Sequence, residues 1–276
     1  MIAKNDISQL TKVSEGVRQE LAAELRAADV NWKQAYGEYQ SGGWYVAPLA
    51  NSQGSEDQLK LDAGAPCATP LLGRMPSVQR FLDSTELDYR LVRLARIAPG
   101  AFMHEHNDEV GIQQERLRLH LPITTQPDAV LSFDGVNVHA AEGYLWKLDH
   151  ERVAHAAANF GKTGRVHLIV DCLVNDRLRE LVAGEALDQS LVLPKPILSV
   201  AFKRELMACS IELLHAGQQQ KAEDRLLATF SRFDLQGGSS YDLLIEMYES
   251  LPHYTERLEY WRERLKEVRG RTERLQ

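Results

Sequence analysis

Apolar positions between residues 13 and 29 recur three and four apart. Val13, Val17, Leu21 and Leu25 share one face and charge occupies the other, which predicts an amphipathic helix. From 40 to 75 that periodicity gives way to Gly, Pro, Ser and Asn around short apolar pieces such as GGWYVAPLA, the texture of strands joined by long loops. Pro76 opens a short helical stretch reaching 84. Between 89 and 174 the period becomes two. YRLVRLARI alternates apolar with cationic residues; RLHLPI, DAVLSF, VNVHA, GYLWKL and RVHLIVDCLV follow, separated by short polar or Gly-bearing breaks. Many short strands at close spacing, with no long helices between them, predict an antiparallel sandwich or barrel. After about 176 helical texture returns near 199–216, 218–230, 239–250 and 254–268, broken by Gly217, Gly237-Gly238 and Pro252. LPKPIL at 193–198 reads as a linker. The expected organisation is a mainly β domain over 1–178, carrying the N-terminal helix, and an α-helical C-terminal domain over 179–276.

Composition agrees with this picture. A chain of 276 residues, 44% apolar and 26% charged, has the balance of a globular protein with a sizeable core, and wholesale disorder is excluded. With 39 acidic against 32 basic residues the net charge is −7, which speaks against nucleic acid as a partner. The last helix, ERLEYWRERLKEVRGRTERLQ, nearly balances acids with bases and reads as a solvated, ion-paired helix; it leaves a homodimer open. Cys67, Cys172 and Cys209 are too scattered for a zinc site or a disulfide framework and read as buried thiols. The first residues hold no apolar leader, and no apolar run nears the ~18 residues of a membrane span, so a soluble cytoplasmic protein is expected.

The chemistry concentrates in the strand-rich half. In extended chain, residues two apart project to one side, so His106 and Asp108 in His104-Glu105-His106-Asn107-Asp108 can grip one metal ion through an imidazole nitrogen and a carboxylate oxygen. A second imidazole from a distant strand would complete a two-His, one-carboxylate facial triad with three open positions. His155, at the head of a later strand, suits that place; His150, His139 and His167 compete for it. Ten residues past His155, Arg165 opens an otherwise apolar strand, where its planar fork would suit a buried carboxylate. Arg118 and His120 share one face of RLRLHLPI, with Leu117, Leu119 and Leu121 on the other, and need a polar partner if that face is interior. Arg93, Arg96 and Arg116 could meet a substrate carboxylate, an acid of the 105–115 loop could meet its ammonium, and Trp146 could line a pocket or fill the core.

HEHND at 104–108, RLRLHLPI at 116–123, GYLWKLDHERVAH at 143–155 and GRVHLIVD at 164–171 together resemble the iron- and 2-oxoglutarate-dependent hydroxylases of the aspartyl/asparaginyl β-hydroxylase family. Within it the pattern is most similar to that of the bacterial L-proline hydroxylases. Their segment after the distal histidine resembles His155-Ala-Ala-Ala-Asn159-Phe160, and their early strand and loop resemble GGWYVAPLANSQGSED at 42–57. The likeness spans residues 40–175 well and the helical remainder loosely.

The resemblance implies a double-stranded β-helix core, a distorted cupin-like jelly-roll, with His106, Asp108 and His155 as Fe(II) ligands. It also implies Arg165 on the C5 carboxylate of 2-oxoglutarate, with Arg118 and His120 helping to hold that cosubstrate. The implied reaction consumes O2 and 2-oxoglutarate and hydroxylates an unactivated C–H bond of a small-molecule substrate, proline or another free amino acid. Two alternatives stand beside it: a protein side chain or lipid acyl chain as target, or a non-enzymatic jelly-roll binding module with a helical interaction domain. The chain departs from the pattern at Glu105, where the proline hydroxylases carry proline, and at the extra imidazole of His104.

Overall fold

The computed structural model describes residues 6–62, 64–108 and 115–272. Strand β1 (Ile7–Lys12) precedes helix α1 (Glu15–Ala27), whose first turn is capped by the Ser14 hydroxyl accepting from the Val17 N–H. Then come β2 (Lys33–Gln34), β3 (Trp44–Asn51), β4 (Cys67–Ala68) and helices α2 (Pro70–Gly73) and α3 (Pro76–Thr85), each with proline in its first turn. The strand-rich stretch follows: β5 (Tyr89–Ile97), β6 (Arg116–Thr124), β7 (Ala129–Ser132), β8 (Val136–Val138), β9 (Tyr144–Leu148), β10 (Ala156–Asn159) and β11 (Arg165–Leu173). Helix α4 (Asp176–Ala183) and β12 (Val192–Pro194) lead to α5 (Val200–His215), α6 (Gln219–Leu227), α7 (Thr229–Arg232), α8 (Ser240–Glu249) and α9 (Thr255–Thr272).

The strands form two antiparallel sheets. The larger runs β1-β9-β6-β11-β5-β3-β2, with β4 on β3; the smaller runs β10-β7-β8-β12. Three apolar clusters show why both faces of each sheet are needed. Val92, Leu94, Leu119, Leu121, Leu168 and Val170 point from the large sheet onto Leu21, Leu71, Val78, Leu82 and Leu178 of α1–α4. The alternate residues Trp44, Val46, Ile97, Trp146 and Ile169 face Leu131, Phe133, Val138 and Ala157 of the small sheet. Phe102, Val130 and Ala158 on the small sheet's outer side pack against α5, α6, α8 and α9. The protein is thus mixed α/β, with helices covering the outsides of two facing antiparallel sheets.

Three features differ from the sequence reading. Residues 7–12 form a strand on β9, a six-residue segment too short and polar to announce itself beside α1. The stretch read as a linker contributes β12 to the small sheet through pairs such as Leu193↔Asn137, so chain beyond residue 178 helps build the β core. Of the three cysteines only Cys172 is buried; Cys67 is exposed on the edge strand β4 and Cys209 half-buried on α5.

Candidate active site

Residues 100–106 run antiparallel to β10 without completing a regular strand. The Met103 N–H donates to the Ala157 carbonyl at 2.7 Å, and the Asn159 N–H to the Ala101 carbonyl at 2.9 Å. The run ends in a closed pair: His106 and His155 exchange both main-chain hydrogen bonds at 2.9 Å. Facing partners in such a pair project their side chains to one side, and the two imidazole centroids lie 4.5 Å apart. Asp108, two residues on, returns to the same side, with its Oδ1 3.6 Å from His106 Nε2. Ligand atoms of His106, Asp108 and His155 all lie within 4.8 Å of one another, so the three could hold one metal ion.

Main-chain carbonyls set the two rings. His106 Nδ1 meets the His104 carbonyl at 2.7 Å and His155 Nδ1 the Val153 carbonyl at 3.0 Å, which places the proton on Nδ1 and leaves each Nε2 lone pair free to ligate. Burial, reinforced by His106, pushes the His155 imidazole down to about 3, so it stays neutral, as a ligand must. Burial alone would raise the Asp108 carboxyl, but the Arg118 guanidinium outweighs it and holds Asp108 ionised, well below the usual carboxylate range. The donor set, two imidazoles and one carboxylate, suits a non-haem ferrous ion.

A row of polar side chains crosses the inner face of the large sheet. Arg165, His167 and Asp171 occupy alternate positions of β11; Arg118 and His120 of β6 lie beside them, and Arg93 comes from β5. Asp171, 2% exposed, accepts from Arg118 Nε at 2.7 Å, and Arg93 approaches its other oxygen at 3.4 Å. Arg118 also donates to Asp108, so one guanidinium links the row to the candidate ligands.

Arg165 stands apart. It is 2% exposed, its Nη2 meets His167 Nδ1 at 2.7 Å, and among the described residues its Nε and Nη1 have no partner. Among the described residues no carboxylate pairs with it. Burial pulls its pKa down to about 9, and burial together with Arg165 holds His167 and His120 neutral. His120 Nε2 and His167 Nε2 are likewise buried without partners among the described residues. A buried cation next to unused hydrogen-bonding atoms is costly unless an anion completes it.

One cavity of about 390 Å³ collects these groups. His106, Asp108, His155, Arg118, His120 and Arg165 all line it, together with Arg93, and Trp44, Met103, Leu131, Ala157 and Ile169 supply apolar wall. The structure therefore brings together the six residues that the resemblance implied as iron ligands and cosubstrate contacts.

The rival histidines go elsewhere. His150 is buried with Nδ1 toward the Leu148 carbonyl, and its own carbonyl accepts from the Asp108 N–H. His139 leans on the Ala129 carbonyl, and His167 serves Arg165. Among the other candidates, Trp146 is fully buried core and donates to the Ala141 carbonyl; Arg116 pairs with Glu151; Arg96 lies over the Trp32 ring. In the 105–115 loop, Glu105 points away into the helical region, and Glu109 lies outside the described residues. Sequence reasoning passed over Tyr36, Tyr39 and Asp171. For Asp171 the signal was present, since Arg165, His167 and Asp171 share one face of a period-two strand.

Two facing antiparallel sheets around a partly buried His-Asp-His cluster and a buried arginine that no described carboxylate pairs with define a cavity equipped for a metal ion and an anion. Residues 12–174 match the family model described as aspartyl/asparaginyl beta-hydroxylase, and the chain belongs to that family of hydroxylases. It is similar to an L-proline cis-4-hydroxylase of Rhizobium meliloti (strain 1021), with 30% identity over 157 residues, 55% of each chain. The match thus spans little more than half the length of that relative. Among solved structures it is similar to a Pseudomonas putida prolyl-4-hydroxylase (TM-score 0.40, 17% identity, covering 62% of this chain and 93% of that one). It is also similar to an oxidoreductase of the 2OG-Fe(II) oxygenase family from Burkholderia pseudomallei (TM-score 0.38, 12% identity, covering 59% and 93%). Among the described residues no helix is long and apolar enough to cross a membrane.

Proposed function

We propose that this chain is an Fe(II)- and 2-oxoglutarate-dependent dioxygenase that hydroxylates an unactivated C–H bond of a free amino acid, proline or one like it. The two sheets are, on this reading, the halves of a distorted jelly-roll. The observation that carries the proposal is Arg165, a buried guanidinium with two unsatisfied nitrogens in the same cavity as the His106, Asp108 and His155 cluster. Family membership supports the hydroxylase chemistry, and the likeness to an L-proline cis-4-hydroxylase supports the substrate class.

Each residue then has a defined task. His106, Asp108 and His155 hold the iron, with the His104 and Val153 carbonyls fixing the two rings. Iron with 2-oxoglutarate supplies the oxidising power: O2 is consumed, 2-oxoglutarate leaves as succinate and CO2, and one oxygen atom enters the substrate C–H bond. Arg165 takes the distal carboxylate of 2-oxoglutarate through the atoms now unpartnered, and His120 adds a neutral imidazole beside it. Arg118 occupies Asp108 Oδ2 and leaves Oδ1 toward His106, with Asp171 steadying it from behind. Met103, Leu131, Ala157 and Ile169 give the cavity an apolar wall, and its volume admits a small cosubstrate and a small substrate.

The test is a turnover screen. Iron-loaded protein with 2-oxoglutarate and O2 is offered each free amino acid, and succinate formation is followed alongside mass spectrometry for the gain of one oxygen atom. Proline or a cyclic analogue should give both signals. Succinate formation unaffected by every amino acid, with none of them oxidised, would send the search to peptide or lipid substrates.

A further inference from the structure

The C-terminal helices reach the candidate metal site from behind, through the residue that departs from the proline hydroxylase pattern. Glu105 directly precedes His106 and is 4% exposed. Its Oε2 accepts from the Ser239 hydroxyl at 2.7 Å, the Ser240 amide at 3.1 Å and the Ser240 hydroxyl at 3.2 Å. Ser239 is the N-cap of α8 and Ser240 its first residue, so the carboxylate sits at the positive end of that helix. The main chain is held as well: the Glu105 carbonyl accepts from the Tyr241 hydroxyl at 2.6 Å. Tyr241 is 1% exposed and stacks on Trp261 of α9 at 5.6 Å, which fixes the hydroxyl that grips the 105–106 peptide.

A second strut rises from α9. Arg264 lies over the Tyr39 ring at 4.6 Å, donates to its hydroxyl, and donates to Glu38 Oε2 at 2.6 Å. The Tyr39 carbonyl in turn accepts from the His104 N–H at 2.8 Å, and its ring lies 6.0 Å from that of His106. Residues 104 to 106 are thus clamped from two helices at once. An apolar side chain would fill the Glu105 position at lower desolvation cost. What a hydrogen-bonded carboxylate adds is a defined position for the segment that carries His106 and Asp108.

We propose that Glu105 and Tyr241 are positioning residues that set the His106–Asp108 segment for metal binding, so that the C-terminal helical part is a component of the metal site. The inference rests on the reading of His106, Asp108 and His155 as ligands.

The experiment titrates the full-length, metal-free protein with Mn(II) alone. It compares wild type with Glu105→Ala, Glu105→Gln, Tyr241→Phe, Asp108→Ala and, as a remote helical control, Arg262→Ala, which breaks exposed α9 ion pairs with Glu249 and Glu259. Loss of groups that orient metal ligands typically costs about 10- to 100-fold in affinity. Glu105→Ala and Tyr241→Phe should therefore bind Mn(II) about tenfold or more weakly. Glu105→Gln, which keeps an acceptor oxygen for both serines, should recover most of that loss, and Arg262→Ala should match wild type. If Glu105→Ala does not fold by circular dichroism, Tyr241→Phe decides, since it removes one hydroxyl and keeps the stacked ring. Wild-type affinity in folded Tyr241→Phe, or an equal loss in Arg262→Ala, overturns the positioning role. Failure of the ligand reading looks different: wild type would bind no Mn(II), or Asp108→Ala would bind it as well, and the positioning role would fall with it.

Discussion

His106 and His155, 49 residues apart in the chain, face each other across two reciprocal main-chain hydrogen bonds of 2.9 Å. That pairing, more than either side chain, creates the candidate metal centre. It ties the end of the irregular 100–106 run to the start of β10, and it sets the imidazoles 4.5 Å apart on the side to which Asp108 returns. The small sheet's edge is therefore where one metal ion can meet both halves of the chain's chemistry.

Removal of a ligand should abolish metal binding and leave the fold in place. Asp108→Ala and His155→Ala should each bind no Fe(II) or Mn(II) at concentrations that saturate wild type, while thermal melting of the metal-free proteins stays cooperative. His150→Ala should keep metal binding, because its imidazole lies outside the cavity. Isothermal titration with Mn(II) checks all three; metal loss on replacing His150 alone would reassign the third ligand.

Arg165 tests the cosubstrate. Truncating one partner of a buried, charge-assisted pair costs about 2–5 kcal/mol. At about 1.4 kcal/mol per decade, the affinity of Arg165→Ala for 2-oxoglutarate should fall about 30- to several-thousand-fold, with metal affinity near wild type. Arg165→Lys should regain only part, since an ammonium cannot copy the two-pronged contact. A 2-oxoglutarate titration of the iron-loaded variants reads this directly, and unchanged affinity would remove Arg165 from the cosubstrate site.

Stability of the metal-free protein should fall as pH drops below neutrality. Burial pushes His104 and His155 down to about 3 and His150 to about 4, and holds His120 and His167 well below the ordinary value. These five bind fewer protons folded than unfolded, so their contribution is complete above about 6.5, the unfolded value, and is lost as pH falls toward the folded ones. Glu105, raised by burial to about 7, and Asp224, raised to about 6, act in the opposite sense as pH rises from the ordinary carboxylate range, and only partly offset the imidazoles. Urea midpoints of the metal-free protein should therefore be lower at pH 5.5 than at pH 7.5. A midpoint that rises on acidification would show that these imidazoles do not titrate as buried groups.

The helical region has its own buried anchor. Glu223, 1% exposed, accepts from both Arg257 Nε and Nη2 at 2.6 Å, from the Tyr248 hydroxyl at 2.6 Å and from Trp261 Nε1 at 3.3 Å. Arg257→Ala leaves that carboxylate buried with only neutral donors. Discounting the full cost of a broken buried pair because Arg257 is partly exposed, destabilisation should be about 1–3 kcal/mol. Chemical denaturation checks the value, and an effect below about 0.5 kcal/mol would place the pair with ordinary surface ion pairs.

Much of this protein is written locally. Alternation in YRLVRLARI predicts a strand over the residues that form β5, and the three- and four-residue spacing from Val13 to Leu25 predicts α1. The same period-two rule sets His106 with Asp108, and Arg118 with His120, on common sides. Local pattern cannot choose partners across the fold, because a strand's period states which residues share a face and not which strand lies opposite. His150, His139 and His167 therefore competed with His155 in the sequence, and it is His155 that the fold pairs with His106. The unpaired burial of Arg165, the Asp171 carboxylate behind Arg118 and the grip of α8 on Glu105 likewise belong to tertiary structure alone. Each depends on desolvation or on contact between residues more than fifty positions apart, and nothing in the local sequence sets either.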